Sequence, residues 1–396
     1  MKKFMLGGVA ALALLTLGTA AFAQGKEPIK VGLLTSITGA PANGLAARLG
    51  AEIAIKEINT AGGLDGHKLE LVIGDDQNNA TQAAAETRRL VYQEKIAFLL
   101  GPSSSITTLP GIQVLNEAKI ASVSAAGASI LTPEFAPYHF SLLATAALQA
   151  KVMANYVQNV MKAKSVAVLN DDGTFGKEGG AALKAELEAR KMNVTGIEQI
   201  SLQETDLLPQ LLKLRRGDPQ ALLMFSGSGE AIANTRKGMA QIGWNPIFVG
   251  NIAATALHRV ISTIAGDSAL EGMVGVLSKV STYCPKDPLE AGPVPQFKKK
   301  LEAAAPGTKA DPLSVIYMYD AAYIFKAAYL GTGGKTDGPT IAKWIEGNSA
   351  KLTGLVGGTA EVSKDNHFAY GVKSLAMIAD FNKPRADGLL RRVDCP

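Results

Sequence analysis

The sequence predicts an α/β protein made of two doubly wound, parallel-sheet units in succession. Three observations predict it. Short apolar runs alternate with longer amphipathic stretches, the pattern of parallel strands covered by helices on both faces. The same rhythm starts afresh near Ala146. The 396 residues exceed one ordinary domain and suit two separate cores.

The first residues read as a leader. Met1-Lys2-Lys3 is positive, an apolar run follows to about Leu17, and Ala21-Phe22-Ala23 supplies small residues at a cleavage site. Residues 1–23 therefore read as a secretory signal peptide, with export to the periplasm of a Gram-negative cell as the expected localisation. No cysteine follows the apolar run to carry a lipid, and the run is short for a membrane span.

Next come a strand over 29–34, a helix over 44–59 closed by Ala61-Gly62-Gly63, and a strand over 69–73 ending in Gly74-Asp75-Asp76. Residues 81–94 read as a helix, because Ala83, Thr87, Leu90 and Val91 fall on one stripe. A strand over 97–100 stops at Gly101-Pro102, a helix runs through Leu115, and 120–124 returns as a strand. In the second unit, helices over 146–161, 176–191, 206–216 and 231–242 alternate with strands over 165–169, 194–197, 221–225 and 246–249. A proline-rich stretch with Pro285, Pro288, Pro293 and Pro295 marks a crossing or surface loop. Helices over 294–305 and 312–329 follow. The aromatic cluster Tyr317, Tyr319, Tyr323 and Phe325 in the second of these reads as core packing. The tail, 352–393, reads as short strand-like runs with turns at Gly357-Gly358 and Asp365-Asn366.

Composition narrows the function. The net charge of +5 is small for this length and the cationic residues are dispersed, so no nucleic-acid partner is expected. The four histidines lie far apart and no metal-ligand spacing occurs, so neither metal nor cofactor is expected. Serine-nucleophile elbows, phosphate-binding loops and zinc-protease motifs are missing from the sequence, which argues against an enzyme. The acid pairs Asp75-Asp76 and Asp171-Asp172 sit at strand ends, where adjacent carboxylates serve as turn formers. Cys284 and Cys395 are the two cysteines. In an oxidising compartment they form either a disulfide or two unrelated thiols.

In open parallel sheets, ligands bind at the carboxyl ends of strands. Gly101-Pro102-Ser103-Ser104-Ser105 joins a strand to a helix. Its hydroxyls and helix N–H groups suit a carboxylate, or cap the helix in the ordinary way. Ser124-Ala125-Ala126-Gly127-Ala128-Ser129 follows another strand, with small residues that admit a ligand to the backbone. In the second unit the corresponding loops are 170–176, with Thr174 and Phe175; 225–228, with Ser228; and 250–252, with Asn251 and Ile252.

These features together resemble the periplasmic solute-binding proteins of the branched-chain amino acid (leucine/isoleucine/valine) type, which serve ABC importers. The likeness runs through Ile29-Lys30-Val31-Gly32 and Thr38-Gly39, Gly50-Ala51-Glu52-Ile53-Ala54-Ile55, Gly62-Gly63, Asp75-Asp76, Gly101-Pro102 with its serines, Gly127-Ala128-Ser129, Tyr319-Asp320-Ala321 and Gly354…Gly357 before Asn366-His367. The resemblance implies a type I periplasmic binding protein: two lobes joined by a three-crossing hinge, with 27–145 plus 278–347 as lobe 1 and 146–277 plus 348–396 as lobe 2. It implies a monomer that captures a small-molecule carboxylate between closing lobes and delivers it to an inner-membrane ABC permease. A ligand sensor feeding a receptor or regulator is the alternative reading. It also implies that Ser105, Ala128 and Ser129 hold the carboxylate and that Phe175 covers the ligand. Two positions depart from the family's amino-acid binders. Asn251 and Ile252 stand where those place an acid for the ammonium group, and Asn43 and Ser228 stand at aromatic positions of the leucine binders. A buried ammonium without a counter-charge is costly. The ligand is therefore expected to lack an α-amine, unless Asp172 or Glu230 supplies the charge, and smaller lining residues leave room for an aromatic acid.

Overall fold

The structure, a computed structural model, describes residues 26–393 and 395. The leader lies outside the described residues. Five strands form the first sheet: β1 (Lys26–Thr35), β2 (His67–Asp75), β3 (Phe98–Leu100), β4 (Ser122–Ser124) and β5 (His139–Ser141). Their order is β2-β1-β3-β4-β5, and all are parallel. The helices α1 (Pro41–Thr60), α2 (Ala80–Arg88) and α3 (Ser105–Ala118) connect them.

The second sheet holds β6 (Ser165–Asp171), β7 (Asn193–Ile200), β8 (Ala221–Phe225), β9 (Ile247–Gly250) and β10 (Met273–Ser278). With these alternate α4 (Ala146–Asn155), α5 (Thr174–Ala189), α6 (Leu208–Arg215), α7 (Gly229–Gln241), α8 (Ile252–Ala256) and α9 (His258–Ala265). Every residue of β8 is buried, as a strand covered on both faces requires. The chain then forms the short strand β11 (Thr282–Tyr283) and returns to the first lobe as α10 (Pro293–Ala304), α11 (Pro312–Gly331) and α12 (Gly338–Gly347). It ends as β12 (Leu375–Ala379), antiparallel on β10, and β13 (Leu390–Arg391), parallel to β11. The second sheet thus runs β12-β10-β9-β8-β6-β7.

Three segments cross between the sheets, at 141–146, 278–282 and 370–375. One core joins β1, β3 and β5 to α1, α10 and α11. Two others sit on the faces of the second sheet. Helix α11 is buried along most of its length. It packs so closely on α1 that a Cβ on Gly50 would lie 2.2 Å from the Val315 carbonyl oxygen.

Three expectations from sequence change. Strands β5 and β10 were not read there, and the tail read as strand-like runs forms β12 and β13 only after residue 374. The β5 strand has only three residues, two of them polar, and Gly275 interrupts the apolar run of β10. The 352–370 segment contains no named strand, and its Leu352, Leu355, Val356, Ala360, Val362 and Tyr370 pack in the first core, although the division by sequence assigned them to lobe 2. The cause is local. The buried Asp320 carboxylate of α11 accepts the Val356 N–H at 2.9 Å and the Gly357 N–H at 2.7 Å, and Phe368 bridges Ser141 at the end of β5. Burial pushes the Asp320 carboxyl up to about 7, against the pull of those two N–H groups. Lastly, within the aromatic cluster of α11, Tyr319 and Phe325 are core residues, but Tyr317 is not wholly so.

Candidate functional site

A cleft of about 220 Å³ lies between the lobes, lined by strand-end loops of both. On the first lobe, β3 ends at Leu100 and Gly101 turns the chain with φ +86°. A Cβ there would meet the Leu34 carbonyl oxygen at 2.2 Å, so only glycine fits. The turn delivers Ser103, Ser104 and Ser105 to the cleft at the start of α3. No side chain caps that helix, because the Ser104 hydroxyl pairs instead with Thr107 Oγ1 at 3.0 Å.

Ser105 is 4% exposed. Its Oγ accepts the Gly127 N–H at 3.2 Å and the Ala128 N–H at 3.1 Å. A hydroxyl has two lone pairs and one proton. Both lone pairs of Ser105 are engaged, which leaves the proton to offer to an acceptor in the cleft. The loop it holds is braced from behind. His139 is buried between the Ser122 hydroxyl at 2.8 Å and the Ser124 hydroxyl at 3.0 Å, and Ser124 Oγ accepts the Ala126 N–H at 3.1 Å. Burial drives the His139 ring down to about 3, so it stays neutral in this scaffold.

On the second lobe, Asp171 closes β6. Its Oδ1 accepts the Gly173 N–H at 2.9 Å, and its Oδ2 accepts the Ser226 hydroxyl at 2.6 Å and the Gly227 N–H at 2.9 Å. Burial raises its pKa, while these three donors pull the other way. Asp171 thereby fixes both the start of α5 and the loop before α7. Gly173 leaves the α5 N-terminus without a side-chain cap. Phe175, Leu202, Ile252, Ala256, Leu257 and Val260 form an apolar wall, and Phe175 meets Phe225 edge-on with centroids 5.0 Å apart.

The lobes are closed on each other. A Cβ on Gly127 would lie 2.4 Å from Phe175 Cε2, and one on Gly173 would lie 3.7 Å from Ile106 Cδ1. The Ser129 N–H donates to Glu178 Oε2 at 2.8 Å across the rim.

Of the residues singled out by sequence, Ser105, Phe175, Ser228, Ile252 and Asn43 line the cleft. The other four are not among its lining residues. Ala128 is fully buried behind Ser105. Ser129 forms the rim contact. Thr174 is the first residue of α5. Asn251 is buried, and its side chain ties down Ser226 by donating to its carbonyl at 2.9 Å. Asp172 is spent on the Leu202 N–H at 2.9 Å, whereas Glu230 does line the cleft. Sequence reasoning missed Asp171, Asn78, Ser314 and Tyr317 as lining residues. Cys284 and Cys395 form a disulfide.

Substituting Ser105 with alanine removes the hydroxyl proton and strands two buried N–H groups. Binding of the best ligand is expected to weaken by about 1–3 kcal/mol, measured by titration calorimetry. An unchanged dissociation constant removes Ser105 from the site.

Two hinge-linked α/β lobes, shut on a cleft to which both contribute polar groups and an apolar wall, define a solute-binding protein of the two-lobed class. Among the described residues no helix is long and apolar enough to cross a membrane. The chain belongs to the periplasmic binding protein family, in its branched-chain amino acid type, and the family profile matches residues 28–378. It is 26% identical over 345 residues to the leucine-, isoleucine-, valine-, threonine- and alanine-binding protein of Pseudomonas aeruginosa, covering 86% of this chain and 88% of that one. Its fold is similar to that of the branched-chain amino acid transporter substrate-binding protein of Streptococcus pneumoniae in complex with isoleucine, with TM-score 0.74 and 20% identity over 92% of this chain and 97% of that one. It is also similar to an ABC transporter solute-binding protein of Rhodopseudomonas palustris in complex with 4-hydroxybenzoate, with TM-score 0.78 and 20% identity over 92% of this chain and 95% of that one.

Proposed function

We propose that the cleft captures a small carboxylate-bearing molecule, either an amino acid or an aromatic or hydrophobic acid, in the periplasm. The loaded, closed form then presents it to an inner-membrane ABC permease. The observation that carries this reading is Ser105, whose lone pairs are filled from within the protein and whose proton is left for an acceptor. The uncapped N-termini of α3 and α5 come from opposite lobes and add N–H groups with a partial positive charge. The apolar wall takes the body of the ligand. A ligand touching both lobes stabilises the closed arrangement over an open one, so capture and closure are one equilibrium. The S. pneumoniae and R. palustris relatives hold isoleucine and 4-hydroxybenzoate respectively, and both ligands are small carboxylates.

Thermal unfolding with leucine, isoleucine, benzoate, 4-hydroxybenzoate and their neutral amides tests it. An acid present at a hundred times its dissociation constant adds about 2.7 kcal/mol of stability and raises the melting temperature, while its amide does not. Amides that stabilise as well as the acids, or a panel in which no acid acts, would sink the proposal.

A further inference from the structure

We propose that Asp76, buried behind the serines that open α3, takes up a proton as an acid is captured, and that Thr107 relays this change to Ser104, whose hydroxyl then donates into the cleft. This deepens the carboxylate-capture reading and rests on it.

Asp76 follows β2 directly and is 0% exposed. Its Oδ1 accepts the Ser36 hydroxyl and, at 2.9 Å, the Asn78 N–H. Its Oδ2 is buried with no hydrogen-bond partner. Such an oxygen is costly as part of a carboxylate, and less so as a hydroxyl beside an acceptor. The neighbour that can serve is the Thr107 hydroxyl, which also acts on this carboxyl. Thr107 is itself 0% exposed. Its Oγ1 lies 3.0 Å from Ser104 Oγ, a contact in which either oxygen can donate. The Ser104 carbonyl accepts the Thr108 hydroxyl at 2.7 Å and the Thr108 N–H at 3.0 Å, and Thr107 Oγ1 comes no nearer to it than 3.5 Å. The Thr107 proton therefore goes to Ser104 Oγ or to Asp76. Ser104 in turn lines the cleft, which completes a chain from the buried acid to the ligand.

The chain has two arrangements. With Asp76 charged, Thr107 donates to Oδ2 and accepts from Ser104, whose proton then points into the protein. With Asp76 protonated, every bond reverses. Oδ2–H donates to Thr107, Thr107 donates to Ser104, and the Ser104 proton is free for the cleft. The second arrangement sets a new donor beside that of Ser105, where an anion needs it.

Charge favours the same arrangement. Asp171 and Glu230 are the charged side chains among the described lining residues, with no lysine, arginine or histidine beside them. An entering anion thus finds no counter-charge. The groups that face Asp76 from the end of β1, from the loop before α2 and from α3 are Ser36, Asn78 and Thr107, all neutral. On its own strand Asp75 is negative. Glu86 of α2 comes near Gly74, but it is paired with Arg89 at 2.8 Å. Burial raises the Asp76 pKa, the hydrogen-bond donors pull it down, and the Asp75 charge adds to the rise. A ligand carboxylate is one more negative charge nearby, and a proton on Asp76 removes that repulsion.

Calorimetric titration with the tightest of benzoate, 4-hydroxybenzoate, leucine and isoleucine tests this, in phosphate and in Tris, from about pH 5 to 9. The difference in heat between the two buffers counts the protons taken up on binding. The protonated form binds better, so affinity is highest at low pH and falls as pH rises through the Asp76 titration. Wild type is expected to lose about tenfold in affinity across that window, with uptake peaking at about half a proton. Asp76→Asn presents an amide NH2 toward Thr107 and so copies the protonated acid. It is expected to abolish the uptake and to keep the low-pH affinity at every pH, which a purely structural role for Asp76 does not predict. Thr107→Val severs Asp76 from Ser104. It is expected to abolish the uptake as well, with affinity about threefold or more below wild type at low pH. Absence of uptake in wild type overturns this inference and leaves carboxylate capture standing. Uptake that survives Asp76→Asn, or an asparagine variant that binds weakly at every pH, does the same. Where Asp76→Asn does not fold, uptake that survives Thr107→Val overturns it. Failure of every acid to bind overturns both readings.

Discussion

Replacing Cys284 and Cys395 together by serine is expected to lower the unfolding free energy by about 2–4 kcal/mol. The bond joins cysteines with Cα atoms 5.7 Å apart across a sequence separation of 111 residues. Closing a loop near that length restricts the unfolded chain by up to about 4.7 kcal/mol in the chain-entropy account. The β11–β13 ladder is two residues long on each strand. Arg385 stacks over the Tyr283 ring at 4.3 Å and donates to the carbonyls of Asp287 and Pro288 and to Asp387. Burial works to raise the Asp387 carboxyl, yet hydrogen bonding from Arg385 holds it down at about 2. That network orders the tail in the folded state, and the closed loop adds to it by restricting the unfolded chain. Guanidinium unfolding of oxidised, reduced and doubly substituted protein tests the point. The last two are expected to coincide at a lower midpoint. Three coincident curves would show that the clamp adds nothing to stability.

The architecture was legible where a segment is buried on both faces or strongly periodic. The β8 strand is five buried residues in a row, and its sequence bounds match the observed ones. The longer helices were legible from their stripes and their proline starts, as at Pro312. What escaped was short or satisfied from elsewhere. Strand β5 spends its polar residues on buried bonds, with His139 braced by Ser122 and Ser124. The 352–370 segment is held by Asp320 and by a bridge from Phe368 to Ser141, partners distant in sequence that no local pattern announces.

The site was half legible for a related reason. Loops after strands point at the gap by topology alone, and they yielded Ser105, Phe175, Ser228 and Ile252. Residues contributed by a returning helix do not follow that rule. Tyr317 was grouped with Tyr319 as core, although two residues on a helix turn by about 200° and so face opposite ways. That spacing was the available signal. Asp171 was correctly read as a turn former, but not as a residue that lines the gap, because its role joins two loops distant in sequence.

Asp171→Ala is expected to remove at least about 3 kcal/mol of stability and to weaken ligand capture more than tenfold. The side chain is 1% exposed, and it satisfies the buried Ser226 hydroxyl and the N–H groups of Gly173 and Gly227 at the cleft edge. Each buried donor left without an acceptor costs about 1–3 kcal/mol. Space offers no relief, because α5 is built directly on the carboxylate: a Cβ on Gly176 would lie 1.9 Å from Asp171 Oδ1. Loss of the acid frees the Gly227 loop and the α5 N-terminus together, and these are two of the second lobe's contributions to the cleft. Asparagine keeps the shape but presents one acceptor oxygen in place of two, so Asp171→Asn is expected to fall between alanine and wild type. Unfolding midpoints and titration with the tightest acid of the panel give both readouts. An alanine variant within about 1 kcal/mol of wild type would mean that the loops find other acceptors. Wild-type affinity in a destabilised variant would mean that Asp171 supports the lobe without shaping its binding face.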